Sequence, residues 1–298
     1  MDFLITGATG FIGQKLVNSL LARGDSVNYF ARQRPLNIIS SRAAFHCWDG
    51  KTAPPLNSVP RLDAIIHLMG EPIAQRWNPQ VKDRIRKSRV DATRQLVAAI
   101  GALRHKPKVL VSASAVGYYG NRGNEILTET SASGSGFLSD VCVNWEYEAM
   151  RAREYGVRVV MIRTATVLGR EGGALPQMLT PFRWGLGGRF GNGKQWMSWI
   201  QVDDLVRLFT FAADKDVSGP LNGSAPQPVT NADFTRALGR AVHRPAIFPI
   251  PRFALDTMLG EMSGFLFDSL RVVPEAVQRS GFRYEHPDLA EALTYSIS

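Results

Sequence analysis

Three glycines near the start of the chain could hold a phosphate. They stand as Gly7-x-x-Gly10-x-x-Gly13, directly after the apolar run Phe3, Leu4, Ile5 and directly before an amphipathic segment ending near Arg23. That order reads as a strand, a tight turn and a helix N-terminus. Helix N-termini present unpaired N–H groups and the positive end of a dipole, so they bind anions. Gly7 permits the turn, Gly10 lets the backbone approach a pyrophosphate, and Gly13 lets the helix pack against the strand. The residues expected around a bound dinucleotide here are Gly7, Thr9, Gly10, Phe11, Ile12 and Gly13.

The second strand specifies which dinucleotide. An acid about 20 residues beyond such a turn would bond the adenosine ribose hydroxyls of NAD. The second strand instead ends at Ala31 and Arg32, with Arg34 close behind and no carboxylate. A guanidinium there pairs with a 2′-phosphate and stacks on adenine, which points to NADP. Further cofactor contacts are expected where the fourth strand ends, at Leu68, Met69 and Gly70, and beyond the sixth, at Val167. His67 reads as a packed, hydrogen-bonded strand residue.

The elements behind these residues alternate. Strand-like runs fall at 2–6, 26–31, 43–47, 63–68, 108–113 and 157–163, with helices near 11–23, 79–103 and 138–155. The helix due at 49–61 is short or absent, because Pro54, Pro55 and Pro60 interrupt it. Alternation of this kind gives a parallel, doubly wound Rossmann sheet, an α/β fold. After about residue 170, glycine and proline become dense. A strand over 196–200 then precedes a helix started by Asp203, and short helices follow at 252–260, 274–280 and 287–296. The expected division is 1–170 as an NADP-binding domain to which later strands return, 171–244 as a smaller substrate-side lobe, and 245–298 as a helical C-terminal domain.

Bulk properties exclude several classes. The 298 residues, 45% of them apolar, hold no run long enough to span a membrane. Cys47 and Cys142 form neither a disulfide framework nor a metal spacing, so no metal is expected and a reducing, cytoplasmic setting is. The 35 basic and 26 acidic side chains leave a net charge of +9. The basic residues are spread out except between Arg76 and Arg94, which reads as a solvated helix face. An anionic cofactor and a small polar substrate, anionic or nucleotide-linked, account for the surplus; neither nucleic acid nor a membrane is expected as a partner.

Further motifs carry a family resemblance. They are Gly70-Glu71-Pro72-Ile73 with Arg76-Trp77, Ser88-Arg89, the stretch from Ser112 to Gly120, and Cys142 to Glu146. Pro181 to Gly188, Ser198-Trp199-Ile200, Asn231 to Leu238 and Gly260-Glu261-Met262 complete the set. Together they resemble the short-chain dehydrogenase/reductase superfamily in its extended, nucleotide-sugar-epimerase-like form. The closer match is its atypical "epimerase family protein" branch. The resemblance covers nearly the whole chain and implies an NADP-binding Rossmann fold with a C-terminal domain of unassigned function. It implies no known substrate. By the same resemblance Arg89 stands where ordinary members carry a cofactor-side Asn, and is either a cofactor contact or an exposed helix arginine.

The superfamily's chemistry uses Ser, Tyr and Lys: Tyr moves the substrate proton, Lys lowers its pKa, and Ser positions the oxygen. Ser114 matches the serine. The Tyr-x-x-x-Lys place holds Cys142-x-x-x-Glu146, and no Tyr-x-x-x-Lys occurs anywhere. Ser114 and Glu146 are therefore the catalytic candidates, with Glu146 alternatively a surface or salt-bridged acid. Cys142 reads as a small buried hydrophobe. Tyr147 with Arg151 could replace the missing pair, but Tyr147 lies about 140° round the helix from Cys142. Tyr118 or Tyr119 could supply the hydroxyl instead. Gly188 to Lys194 fits a phosphate-loop spacing but fails its context, since Gln195 replaces Ser or Thr and no helix follows; it reads as a substrate-side loop and lid. Trp184, Trp196 and Trp199 read as core, with Trp196 and Trp199 beside Lys194 alternatively facing a flat or anionic substrate. Two functions remain: an NADP-dependent oxidoreductase or epimerase with a non-standard proton donor, and a catalytically weak NADPH sensor.

Overall fold

The structure is a computed structural model that describes residues 1–35 and 39–297. In chain order its strands are β1 (Asp2–Thr6), β2 (Ser26–Ala31), β3 (Ala44–Cys47), β4 (Ala64–His67), β5 (Val109–Ala115), β6 (Ile126–Leu127), β7 (Arg158–Thr164), β8 (Thr166–Leu168), β9 (Trp196–Met197), β10 (Trp199–Gln201), β11 (Gly219–Gly223), β12 (Val229–Thr230) and β13 (Arg271–Val272). Seven of them form one parallel sheet. The helices are α1 (Phe11–Ala22), α2 (Pro79–Lys87), α3 (Val90–Ala102), α4 (Phe137–Met150), α5 (Leu175–Arg183), α6 (Val202–Asp214), α7 (Asn231–Ala241), α8 (Arg252–Leu259), α9 (Ser263–Leu266), α10 (Glu275–Arg279) and α11 (Leu289–Ile297).

The sheet order is β11-β7-β5-β4-β1-β2-β3, and every pairing is parallel. The order reverses between β1 and β4, which makes this a Rossmann fold; in such sheets the switch is where ligands bind. Phe3, Ile5, Val109, Val111, Val160 and Ile162 pack with α1 and α6 on one face. Leu4, Ile65, Leu110, Val159 and Met161 pack with α3 and the end of α4 on the other. Both faces being covered explains why these strands are apolar throughout rather than alternating.

Several local expectations are corrected. The single helix over 79–103 is two helices that meet at Ser88–Arg89. Ser88 Oγ donates to Ile85 O at 3.1 Å and accepts Glu71 N–H at 2.9 Å, tying the break to the loop after β4. The strand over 196–200 is split at Ser198. Ser198 Oγ bonds Leu270 O and Val272 N, so β9 pairs with β12 while β10 pairs with β8. Helix α6 begins at Val202 and is capped by the Gln201 side chain bonding Asp203 N, rather than started by Asp203.

The seventh strand, β11, escapes sequence reasoning because Gly-Pro-Leu-Asn-Gly resembles a turn. Pro220 is tolerated there because β11 is an edge strand. The C-terminal region carries β13 as well as helices, and β13 pairs with β6. Leu289, Ala292 and Leu293 of α11 share a core with Trp199, Phe234 and Leu238.

Candidate functional site

At the switch point the glycine turn is built to leave space. Gly7 sits at φ +72°, and a Cβ there would lie 2.8 Å from the carbonyl carbon of Leu68. A Cβ on Gly13 would lie 2.3 Å from Gly7 O, so α1 packs on the turn itself. A Cβ on Gly10 would meet only Gly7 O, at 3.3 Å, and otherwise open space. No side chain caps α1, and no acid occupies its first turn. Thr9 is exposed and its carbonyl accepts Gln14 Nε2 at 2.8 Å, while Ile12 packs against the core. The Phe11 ring lies in a slot between Gly169 and Gly172, where added Cβ atoms would fall 2.4 and 2.5 Å from it. The loop beyond Val167 is thereby fixed to the turn.

One strand over, Ala31 O accepts Trp48 N–H at 2.9 Å, and Arg32 follows, exposed. Its guanidinium makes no ion pair among the described residues. Leu68 N donates to Thr6 O at 3.1 Å, bringing the Leu68–Gly70 backbone against the turn. Beneath Gly70 lies the Arg89 guanidinium, 2.9 Å from where a Cβ would sit. Arg89 Nη1 donates to Glu71 O at 3.0 Å and Ile85 O at 3.3 Å, and the group lies 5.3 Å from the Trp145 ring centre. Burial lowers its pKa, against the opposing pull of Cys142 and Glu71. The alternative of an exposed helix arginine is therefore wrong: Arg89 is a half-buried residue at a helix break. His67 is fully buried, bonded to Thr6 Oγ1 at 2.6 Å and Thr93 Oγ1 at 2.9 Å, and burial drops its pKa to about 4.

The ends of β5 and β7 carry a second constellation. Ser114 Oγ donates to Glu146 Oε1 at 2.6 Å. Arg163, from β7, grips the same carboxylate with Nε on Oε1 and Nη2 on Oε2, both at 2.8 Å. Arg163 Nη1 donates to Tyr119 Oη at 3.0 Å, and Tyr119 donates onward to Asn222 Oδ1 at 2.7 Å. Glu129 closes the network by accepting Asn222 N–H at 3.0 Å and Ala276 N–H at 3.1 Å. All five of these polar side chains besides Ser114 are buried, as Ser114 is. Burial would lower the Arg163 pKa, but the hydrogen bonds and charge of Glu146 raise it instead. Glu146 is thus a buried, ion-paired acid and not a helix-surface one.

Burial pushes the Cys142 thiol up to about 12, with Glu146 adding to it and Arg89 opposing. Burial likewise takes the Tyr119 phenol to about 12, against the pull of Arg163. Neither group loses a proton easily near neutrality. Tyr147 is 64% exposed and points away from this corner, and Arg151 bonds Glu148 instead. Tyr118 is half-buried, its ring centre 3.5 Å from Arg163 Cζ.

Other sequence expectations resolve plainly. Gly188 to Lys194 is a loop leading into β9, and Gln195 Nε2 donates to the Phe190 and Leu266 carbonyls. Trp199 is core, with Nε1 on Gln227 O, but Trp184 is 79% exposed and Trp196 lies half-buried under Arg271. Reading the tryptophans as core therefore holds for Trp199 and is wrong for Trp184 and for Trp196, which is in no hydrophobic core cluster among the described residues. Sequence reasoning offered Tyr119 only as an alternative hydroxyl and missed the roles of Arg163, Asn222 and Glu129. Arg163 left one usable signal, an arginine inside the apolar run Val159-Val160-Met161-Ile162, because a charge in a buried strand requires a partner.

The model of the NAD dependent epimerase/dehydratase family matches residues 3–224. The chain belongs to that family. Residues 250–295 match a domain of unknown function, DUF1731. An epimerase family protein of Mycobacterium bovis is 40% identical over 298 residues, spanning 99% of this chain and 97% of its own. The human epimerase family protein SDR39U1 (isoform 2), solved with NADPH, has a TM-score of 0.89 at 33% identity and covers 100% of this chain and 99% of its own. UDP-glucose 4-epimerase of Thermotoga maritima, solved with UDP-glucose, shares the fold, with a TM-score of 0.83 at 20% identity over 100% of this chain and 97% of its own. Among the described residues no helix is long and apolar enough to cross a membrane, and no group of His, Cys, Asp and Glu could hold a metal ion.

Proposed function

We propose that this protein binds NADP(H) and uses it to interconvert an alcohol and a carbonyl on a small polar substrate held beside Ser114. The observation that carries this is the open cradle at Gly10. Uncapped helix N–H groups face it, and the exposed Arg32, without an ion pair among the described residues, stands one strand over. That donor set suits a dinucleotide with an extra phosphate, and the NADPH-bound human relative supports the same cofactor. In this reading Gly7, Thr9, Gly10, Phe11, Ile12 and Gly13 hold the pyrophosphate, and Ala31 and Arg32 the adenosine end. Leu68, Met69, Gly70, Arg89 and Val167 line the remainder. Residues 1–170 carry the cofactor, 171–244 the substrate side and 245–298 the C-terminal domain, in a cytoplasmic protein.

NADP(H) held by these residues would supply or accept the hydride at the substrate carbon. Ser114 Oγ accepts the hydrogen bond of the substrate hydroxyl and takes its proton while passing its own to Glu146 Oε1. Reversal returns the proton to a carbonyl oxygen. Arg163 fixes the carboxylate in the plane that Ser114 addresses. Calorimetry with NADPH and NADH tests the cofactor, with saturable NADPH binding expected. Nicotinamide absorbance across carbonyl and nucleotide-sugar pools tests the chemistry, with turnover expected and lost in Ser114→Ala and Glu146→Gln.

A second reading, an NADPH sensor with little chemistry, is favoured by Cys142, whose buried thiol at about 12 stands where the family's tyrosine belongs. Saturable NADPH binding without turnover in any pool would select it.

A further inference from the structure

On the substrate-side lobe, two distant segments join into a basic, aromatic surface. Residues 244–250 run alongside 183–191: Arg244 Nε donates to Arg183 O at 3.2 Å, Ile250 N to Arg189 O at 2.8 Å, and Gly191 N to Ile250 O at 3.0 Å. A Cβ on Gly188 would strike Phe248 O, so the two backbones touch there. The pairing brings together Trp184, Leu186, Ile247 and Phe248, with Phe253 just beyond on α8. Each is exposed, Trp184 at 79% and Phe253 at 73%. Isolated exposed apolar residues need no explanation, but five large ones on adjoining backbones do.

The charges around them are mostly basic, the exception being Asp256, which pairs with Arg252 at 3.8 Å. Arg183, Arg189, Arg240, Arg244 and Arg252 border the patch, and neither 183–194 nor 240–253 contains an Asp or Glu. Arg183, Arg189 and Arg240 make no ion pair among the described residues. A second copy of this surface would meet it with like charge, which opposes self-association. The aromatic side chains project outward, unlike a groove that would receive a peptide. Protruding Trp, Phe and Leu among arginines suit the headgroup boundary of a bilayer, where apolar bodies enter and cations meet anionic lipid.

We propose that this face docks the protein reversibly on an anionic membrane surface. The sequence expectation of no membrane partner rested on the lack of a span and on basic residues spread along the chain, neither of which shows a surface assembled from segments 61 residues apart.

The test is co-sedimentation of the full chain with phosphatidylglycerol–phosphatidylcholine vesicles and with phosphatidylcholine alone. Anionic vesicles should bind about tenfold or more tightly than neutral ones, and added salt should weaken that binding. Trp184→Ala/Phe248→Ala and Arg183→Gln/Arg240→Gln should each lose about tenfold, with NADPH binding retained as the mark of a folded chain. Equal retention on both vesicles, retention on neither, or unaltered binding by both folded variants overturns the proposal. So does a concentration-dependent dimer that Trp184→Ala abolishes, which assigns the face to a second copy. Capture on immobilised polyglutamate without capture on anionic vesicles overturns it in favour of an acidic protein.

Discussion

The glycine turn and the Glu146–Arg163 corner lie at the same end of one sheet, yet they are made of opposite materials. The turn is defined by atoms it lacks: at Gly10 a side chain would intrude on open space bordered by backbone. The corner works through side chains drawn from β5, β7, α4, β11 and the Glu129 loop, each spending its polar atoms on another. A site made of vacancies can be altered with little cost to the fold. A buried ionic network cannot, because removing one member strands the rest in a low-dielectric interior. Substitutions at the turn should therefore show in cofactor affinity, and substitutions at the corner in stability.

The largest effect falls on the corner. Arg163→Met leaves Glu146 buried without its ion pair and should cost about 3–5 kcal/mol in urea unfolding. Adding Glu146→Leu should recover most of that loss, since the stranded charge, and not the missing contact, carries the cost. A single variant as stable as the parent would mean the corner is a wet, adaptable site.

His67 lies between the two regions and gives a pH test. Burial lowers its pKa from 6.5 to about 4, so the fold holds it neutral while an unfolded chain protonates it more readily. Its contribution is complete above pH 6.5 and is lost as the pH falls towards about 4, roughly 3 kcal/mol in all. Unfolding free energy measured across that window should decline, and His67→Gln should flatten this part of the decline. A parent curve of unchanged slope in the variant would remove His67 as the cause.

Arg32→Glu probes the turn's partner. In the proposed complex it would replace a charge-assisted bond to a 2′-phosphate by repulsion and should weaken NADPH by about 1.5–3 kcal/mol, on the order of ten- to a hundredfold. Affinity for NADH and the unfolding midpoint should stay where they are. Equal loss of both cofactors would show that Arg32 supports the strand end and reads no phosphate.

How much of this could be read beforehand follows the same contrast. Spacing exposes a backbone device, so Gly7, Gly10 and Gly13 and the strands flanking them were legible as chain segments. The corner depends on residues up to 147 positions apart, such as Glu129 with Ala276, and no periodicity links them. Glu146 was visible as a departure from a motif, but its partner was hidden on another strand. The sequence puts Arg89 on a continuous helix because its neighbours are good helix formers. Only the Ser88 hydroxyl, bonded to the loop after β4, reveals the break. In β11 tertiary pairing overrides local preference, since an edge strand tolerates the proline that its sequence presents.

The smallest stability effect should come from the residue nearest the proposed ligand. Gly10 has an ordinary backbone conformation, φ −79° and ψ 168°, at the N-cap of α1. Gly10→Ala meets one oxygen at 3.3 Å and exchanges a tolerated cap for a poorer one, a loss of about 1 kcal/mol or less. Gly13→Ala, by contrast, drives a methyl to within 2.3 Å of Gly7 O, backbone that cannot swing aside. If thermal unfolding shows Gly10→Ala close to the parent while calorimetry shows weaker NADPH binding, vacancy is the binding principle of the turn. If Gly10→Ala binds as the parent does, the dinucleotide does not approach there. The distinction between a site of absent atoms and a site of paired charges then fails at its clearest point.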